Sequence, residues 1–198
     1  MVKYALARGG VFWTLNGEAS HVGVPMAFVR FAGCSIGCLQ CDTDYAVSER
    51  VSLDELLERI ERIVPSEYKR IKPWVWLTGG EPTDQNIQPL INQLTAYRVA
   101  LAESGSHQRD YAGLSWRSVS PHRRLDQVRG SEIKLVPNLG ELSWDDVEQS
   151  RSWARNCSAR YIQPLADNKQ EMDRAIEFVR SHVGFYLSAQ VHKLWRIP

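Results

Sequence analysis

Short apolar runs alternate with amphipathic stretches along the chain. Residues 26–31 read as a strand, with Arg30 near its end. Leu53, Leu56, Leu57, Ile60 and Ile63 then recur at helical spacing, so one face of that segment is apolar. Ser52-Leu-Asp-Glu55 ahead of them has the form of a capping box. Pro73 precedes a fully apolar strand over 74–77, and Ile87, Leu90, Ile91, Leu94 and Tyr97 mark a second amphipathic helix. Further strands are predicted over 99–102, 116–119, 132–136, 160–162 and 185–189. Ser143 opens a helix reaching Ala154, and Asp167 or Asn168 caps another whose inner face holds Met172, Ala175, Ile176 and Val179.

Short apolar strands alternating with helices predict an α/β chain with a mainly parallel sheet. A complete eightfold barrel takes about 250 residues, more than the 198 here. The pattern therefore predicts a partial, open barrel of about six mainly parallel strands with few helices, a single domain over 1–198. Residues 104–113 are the expected exposed loop. Ligands in such sheets sit at the C-terminal strand ends. There the chain places Cys34 to Cys41, Thr78-Gly79-Gly80, Ser120-Pro121-His122 and Gln163-Pro164, with His192 beyond the last strand. These points are expected to converge on one mouth.

Composition narrows the picture mainly by exclusion. A formal charge of +1 leaves no electrostatic footprint for duplex nucleic acid or an anionic membrane. No stretch has the length of a membrane span, and the N-terminus lacks the apolar core of a signal peptide. A cytoplasmic location follows as the expectation. In a reducing compartment clustered cysteines read as metal or redox ligands rather than disulfides. Three of the four cysteines, Cys34, Cys38 and Cys41, are spaced C-x3-C-x2-C. Three thiolates can ligate three irons of a [4Fe–4S] cluster and leave the fourth iron open. Structural zinc is the competing reading, but it wants four ligands, typically as two pairs. Cys157 lies far away and His21 has no pairing residue. Cys157 reads as a plain small residue of core or surface. Thr78-Gly79-Gly80-Glu81-Pro82 has two readings: a tight turn, or an edge where backbone approaches a ligand closely.

Together the cysteine triplet and the Gly-Gly-Glu-Pro stretch resemble the radical S-adenosylmethionine superfamily. Leu15-Asn-Gly-Glu18, Phe28-Val-Arg30-Phe-Ala-Gly-Cys34, Cys41-Asp-Thr43-Asp-Tyr-Ala46, Ser120-Pro121, Glu132-Ile-Lys-Leu-Val136, Gln163-Pro164, Gln190-Val-His192-Lys193 and the final Ile-Pro198 narrow this. In order along the chain, they resemble the 7-carboxy-7-deazaguanine synthase family. The resemblance implies that Cys34, Cys38 and Cys41 hold a [4Fe–4S] cluster. It implies that S-adenosylmethionine is contacted by Gln40, Cys41, Asp42, Gly80, Ser120, Pro121, His122, Gln163, Pro164, Leu165 and Ala166. Thr43 would ligate Mg²⁺, which prefers hard oxygen donors. Leu15, Asn16, Gly17, Arg30, Thr78 and Pro198 would contact a pterin substrate, with the planar fork of Arg30 on its carboxylate. A homodimer and an electron donor such as flavodoxin are also implied. Two alternatives stand beside this reading: another enzyme of the superfamily, such as a glycyl-radical activase, and a non-catalytic iron–sulfur or zinc protein. Departures from the family pattern include Asn16 for Gln, Ala19 for Gly, His122 for Lys, Val191 for Thr and Leu165-Ala166 for Met-Asp.

Overall fold

Nine strands form one sheet: β1 (Lys3–Leu15), β2 (Pro25–Phe31), β3 (Glu49–Ser52), β4 (Trp74–Gly79), β5 (Arg98–Glu103), β6 (Leu114–Val119), β7 (Arg129–Leu135), β8 (Asn156–Ile162) and β9 (Tyr186–Leu187). Their spatial order is β3-β1-β2-β4-β5-β6-β7-β8-β9. This computed structural model describes residues 2–107, 109–125, 128–154, 156–165 and 168–198. From β2 onward every neighbour in that order pairs in parallel, while β1 lies antiparallel between β2 and β3. Six α-helices lie among the described residues, α1 (Leu53–Ile63), α2 (Gln88–Gln93), α3 (Trp144–Glu148), α4 (Ser150–Trp153), α5 (Lys169–Ser181) and α6 (Val191–Trp195), with short 3-10 turns at Ala19–His21, Tyr68–Ile71 and Pro82–Asp84.

The mainly parallel, open sheet agrees with the sequence pattern; the count of about six strands does not. β1 was hidden because Arg8-Gly9-Gly10 interrupts its apolar alternation, where the register with β2 shifts between Leu6 and Val11. A bulge of this kind breaks the period-two signal. β3 is a polar four-residue edge defined by backbone pairing with β1, which side-chain pattern does not encode.

Side chains alternate across the sheet. Ala27, Val29, Phe31, Val75, Leu77, Val99 and Leu101 face outward onto Leu56 and Ile60 of α1 and Leu90 and Ile91 of α2. Ile133, Leu135 and Ile162 face a second core built with Trp144, Val147, Ala175 and Phe178. Each fully buried aliphatic side chain contributes about 1.5–3 kcal/mol through burial. The α1 capping box forms: Ser52 N donates to Glu55 Oε2 at 2.7 Å and Glu55 N donates to Ser52 Oγ at 3.2 Å. Asn168 caps α5, accepting from Glu171 N at 3.1 Å, while Asp167 lies outside the described residues.

Four local expectations are corrected. α2 stops at Gln93, and Tyr97 lies in the turn before β5, where its hydroxyl donates to Glu61 at 2.5 Å. The helix expected from Ser143 to Ala154 is split at Gln149 into α3 and α4. On α5 it is Phe178, held between Trp144 and Phe185, that is buried, and Ile176 is exposed. The 104–113 loop is not wholly exposed, since Ser104 is buried and donates its N–H to Glu81 Oε2 at 2.9 Å. No helix among the described residues is long and apolar enough to cross a membrane.

Candidate active site

The residues between β1 and β2 cross the concave face of the sheet and tie its first strands to its last. Ser20 N donates to Glu132 Oε2 at 3.2 Å, Ser20 Oγ donates to Tyr161 Oη at 3.1 Å, and Ala19 N donates to Ser188 Oγ at 3.0 Å. Beneath this crossing, His21 packs edge-on against Trp74, Trp76 and Trp116, with ring centroids 4.8–5.3 Å apart. The bottom of the barrel is thus aromatic and closed, and burial pushes the His21 imidazole towards its neutral form against the pull of Glu132.

At the C-terminal ends of the strands, the cysteine loop leaves β2 and is fastened to the turn after β4. Gly80 N donates to Phe31 O at 3.0 Å and Glu81 N donates to Gly33 O at 2.9 Å. A Cβ on Gly80 would stand 1.8 Å from the Gly33 carbonyl oxygen, and one on Gly79, at φ +120°, would stand 2.2 Å from Phe31 O. The two glycines are therefore required by strand-end backbone meeting the start of the cysteine loop. Asp84 extends the fastening, accepting from both Ser35 N and Ser35 Oγ at 2.7 Å. Gln85 adds a clamp, bonding Ala5 N, Ala5 O and Ala32 O at 2.9–3.0 Å.

A cavity of about 560 Å³ opens above these strand ends. Cys34, Cys38, Gln40, Cys41, Asp42, Thr43, Thr78, Gly80, Ser120, His122, Gln163, Pro164 and Leu165 all line it. A second space of about 160 Å³ lies deeper in the barrel and is lined by Leu15, Asn16, Gly17, Arg30, Thr43, Thr78 and Pro198. Thr43 and Thr78 belong to both, so the two are continuous. Of the residues singled out by sequence, Pro121 is buried without lining either cavity, and Ala166 lies outside the described residues. Cys157 is buried in the outer core, where burial pushes its thiol up to about 11.

The electrostatics of the mouth are specific. Burial raises the Cys38 thiol, and the neighbouring Cys41 and Cys34 raise it further, so the three sulfurs act on one another. Among the described residues no three His, Cys, Asp or Glu side chains form a group able to hold a single metal ion. A [4Fe–4S] cluster makes a different demand, one thiolate per iron, and three thiols on one cavity wall fit it. Thr43 Oγ1 donates to Asp42 Oδ1 at 3.5 Å, which puts two hard oxygen donors side by side, the chemistry Mg²⁺ takes. Burial alone would raise the Asp42 carboxyl, but Lys193, 2.5 Å away, holds it below the usual range. Burial lowers the pKa of Arg30, with Asp42 opposing; its guanidinium lies 4.8 Å over the Phe12 ring. Arg30 forms no ion pair among the described residues. Burial likewise keeps His122 and His192 on the neutral side.

The structure adds residues to which the sequence reading gave no role. Glu18 and Lys134, 116 positions apart, pair at the boundary of the two cavities. Gln190 and Gln163 also donate to Glu18, at 2.8 and 3.2 Å. Burial would raise the Glu18 carboxyl, yet the Lys134 charge and these hydrogen bonds outweigh it and hold it low. Lys193 and Gln190 carry the network to Asp42, tying α6 to the cysteine loop. Gly17 admits this docking, since a Cβ there would meet His192 Nδ1 at 2.4 Å. Glu18, Lys134, Gln190 and Lys193 all occur inside the short motifs named above, which was the available signal; their mutual contact was not.

Comparison with known proteins bears on the whole chain. No family model matches it. A 7-carboxy-7-deazaguanine synthase of Rhodospirillum rubrum is 42% identical over 216 residues, covering 94% of this chain and 90% of that protein. A synthase of the same name from Bradyrhizobium diazoefficiens is 30% identical, covering 97% and 98%. One from Bacteroides thetaiotaomicron is 28% identical, covering 93% and 94%. The crystal structure of QueE from Escherichia coli superposes with a TM-score of 0.71 at 23% identity, covering 94% of this chain and 93% of that one, and shares the fold. With 42% identity sustained over nearly its full length, the chain belongs to the 7-carboxy-7-deazaguanine synthase family.

Proposed function

We propose that the chain is a radical S-adenosylmethionine lyase that forms 7-carboxy-7-deazaguanine from 6-carboxy-5,6,7,8-tetrahydropterin with loss of ammonia, on the route to queuosine and other 7-deazapurines. The observation that carries this is Arg30. A half-buried guanidinium with no ion-pair partner among the described residues faces a small cavity that opens into the cysteine-lined one. A buried cation of that kind calls for an anionic ligand group.

Cys34, Cys38 and Cys41 would hold the cluster, and the strand-end edge at Gly80, Ser120, His122 and Gln163 would receive S-adenosylmethionine. When bound, the reduced cluster and S-adenosylmethionine supply a 5′-deoxyadenosyl radical able to take the hydrogen at C6 of the pterin. Arg30 binds the substrate carboxylate and orients that carbon toward the larger cavity. Thr43, with Asp42 beside it, would hold Mg²⁺ at the junction of the two spaces. Trp76 and Phe28, side by side on one face of the sheet, give the deeper cavity an apolar floor, and the aromatic packing around His21 excludes water from below. The Glu18–Lys134 pair places a fixed cation and anion at the junction, where charge shifts as ammonia departs. The whole of 1–198 acts as one domain, in the cytoplasm, as a homodimer reduced by a donor such as flavodoxin; these last readings rest on the family resemblance.

The test is an anaerobic assay of the reconstituted protein with dithionite, S-adenosylmethionine, Mg²⁺ and the carboxylated pterin. The expected result is 7-carboxy-7-deazaguanine. Cleavage of S-adenosylmethionine without pterin turnover would overturn the substrate while leaving the reaction class intact.

A further inference from the structure

The inner face of the sheet carries a level row of side chains between Arg30 and a second buried charge. Arg30 pairs in register with Thr78, and Leu77 pairs with Leu101, which brings Ala102 next to Thr78. Ala102 in turn pairs with Ser118, and Ser118 with Glu132. Residues in register project to the same face. All five line the deeper cavity. The three middle ones are small and leave room, and the row beneath them, Phe28, Trp76, Ala100 and Trp116, makes an apolar floor.

Glu132 is only 1% exposed. Its Oε2 accepts Ser20 N at 3.2 Å, and no other described side chain or backbone group donates to it. Lys134, two positions along the same strand, is committed to Glu18. Ser118, 3% exposed, pairs in register with Glu132 and lines the same cavity. A buried carboxylate with a single backbone donor is costly unless something else brings it N–H groups. Arg30, at the other end of the row, needs an acceptor. The complementary ligand is flat, anionic at one end and carries paired N–H donors at the other.

We infer that Glu132, with Ser118 beside it, reads the 2-amino-pyrimidinone edge of the substrate. Its carboxylate accepts the 2-amino N–H and the adjacent ring N–H in a paired hydrogen bond while Arg30 holds the substrate carboxylate. This rests on the pterin reading of the site. A carboxylate can accept two parallel N–H bonds at once. Pro198 lines the same cavity but is exposed, so water competes for it. Glu132 is therefore the specificity-determining group for a 2-amino ring over a 2-oxo ring, whose carbonyl would face the carboxylate.

The experiment compares anaerobic binding of 6-carboxytetrahydropterin and its 2-oxo analogue, with S-adenosylmethionine and Mg²⁺, to wild type, Glu132→Gln and Ser118→Ala, with iron content as the folding control. Wild type should prefer the 2-amino compound by about 100-fold or more, because a site built for a hydrogen bond rejects a ligand that leaves it unpaired. Glu132→Gln should cut that preference to below about tenfold, since its amide can donate to a carbonyl. Ser118→Ala should weaken pterin binding by about tenfold with iron loading unchanged, a loss of one hydrogen bond. An unaltered preference in Glu132→Gln overturns the inference and leaves the pterin reading standing. If that variant does not load iron, unchanged pterin affinity in Ser118→Ala overturns it instead. Wild-type protein that binds neither compound overturns the pterin reading and this inference with it.

Discussion

Replacing Gly80 with alanine separates two reasons for a glycine at that position. One is close approach of a ligand; the other is close approach of the protein's own backbone. The new Cβ would lie 1.8 Å from Gly33 O and 2.6 Å from Gly33 C, where real contacts keep at least 3.0 Å. The two segments must separate by about 1.2 Å. That breaks the hydrogen bonds Gly80 N–Phe31 O and Glu81 N–Gly33 O, each contributing about 0.5–1.5 kcal/mol. Forcing the extra methyl into packed backbone adds about 1–3 kcal/mol. A total of about 2–6 kcal/mol corresponds to a fall in Tm of roughly 5–20 °C for a chain of this size. Because the contact lies within the protein, the loss should be present without any cofactor. Thermal unfolding of the apo protein followed by circular dichroism measures it. Iron per chain after reconstitution should fall as well, since Cys34 Cβ stands 3.1 Å from the same added atom. An apo variant within about 0.5 kcal/mol of wild type, with full iron content, would refute the backbone argument and return the glycine to ligand approach alone.

Serine in place of Cys34, Cys38 or Cys41 should each lower iron content and the visible absorbance of the reconstituted protein, while Cys157→Ser, in the outer core, should load iron as wild type does; equal loading by all four would remove the cluster assignment. For Glu18, a carboxyl held below its ordinary value, the stabilisation from Lys134 is fully present above the unfolded carboxylate pKa of about 4.3 and is lost as pH falls through the lower folded value. Lys134→Met should therefore cost about 1–3 kcal/mol at neutral pH, less than the roughly 3–5 of a fully buried pair because both side chains keep some exposure and two amide donors remain. Urea unfolding of both proteins across the acid range checks it, and a wild-type-minus-variant difference that does not shrink on acidification is the contrary result.

Much of this site was legible in order along the chain because local chemistry marks it. The cysteine spacing, the capping box at Ser52 and Glu55, and the apolar 74–77 strand ahead of the glycines are each set by neighbours a few residues away. Parallel strands place their C-terminal ends together, so a list of unusual residues at strand ends was already a list of cavity-lining residues. Pattern failed where the determining partner is distant. β1 and β3 exist through backbone pairing across some 45 residues. Phe178 rather than Ile176 is buried because Trp144 and Phe185 arrive from other elements.

The amino-acid sequence by itself determined the α/β class, the three-thiol loop and the family, since these depend on residue types at short spacing. Only the tertiary structure decided what the polar residues within those motifs do. Glu18 and Lys134 carry opposite charges 116 positions apart, and nothing local says that they meet. The curvature of the sheet brings the segment after β1 onto β7 and β8, which makes that pair and closes the barrel floor around His21. The glycines at the end of β4 gained a second requirement for the same reason. A Gly-Gly pair that reads as a turn or a ligand edge is also, once the cysteine loop is packed against it, the point where two backbones have no space for a Cβ.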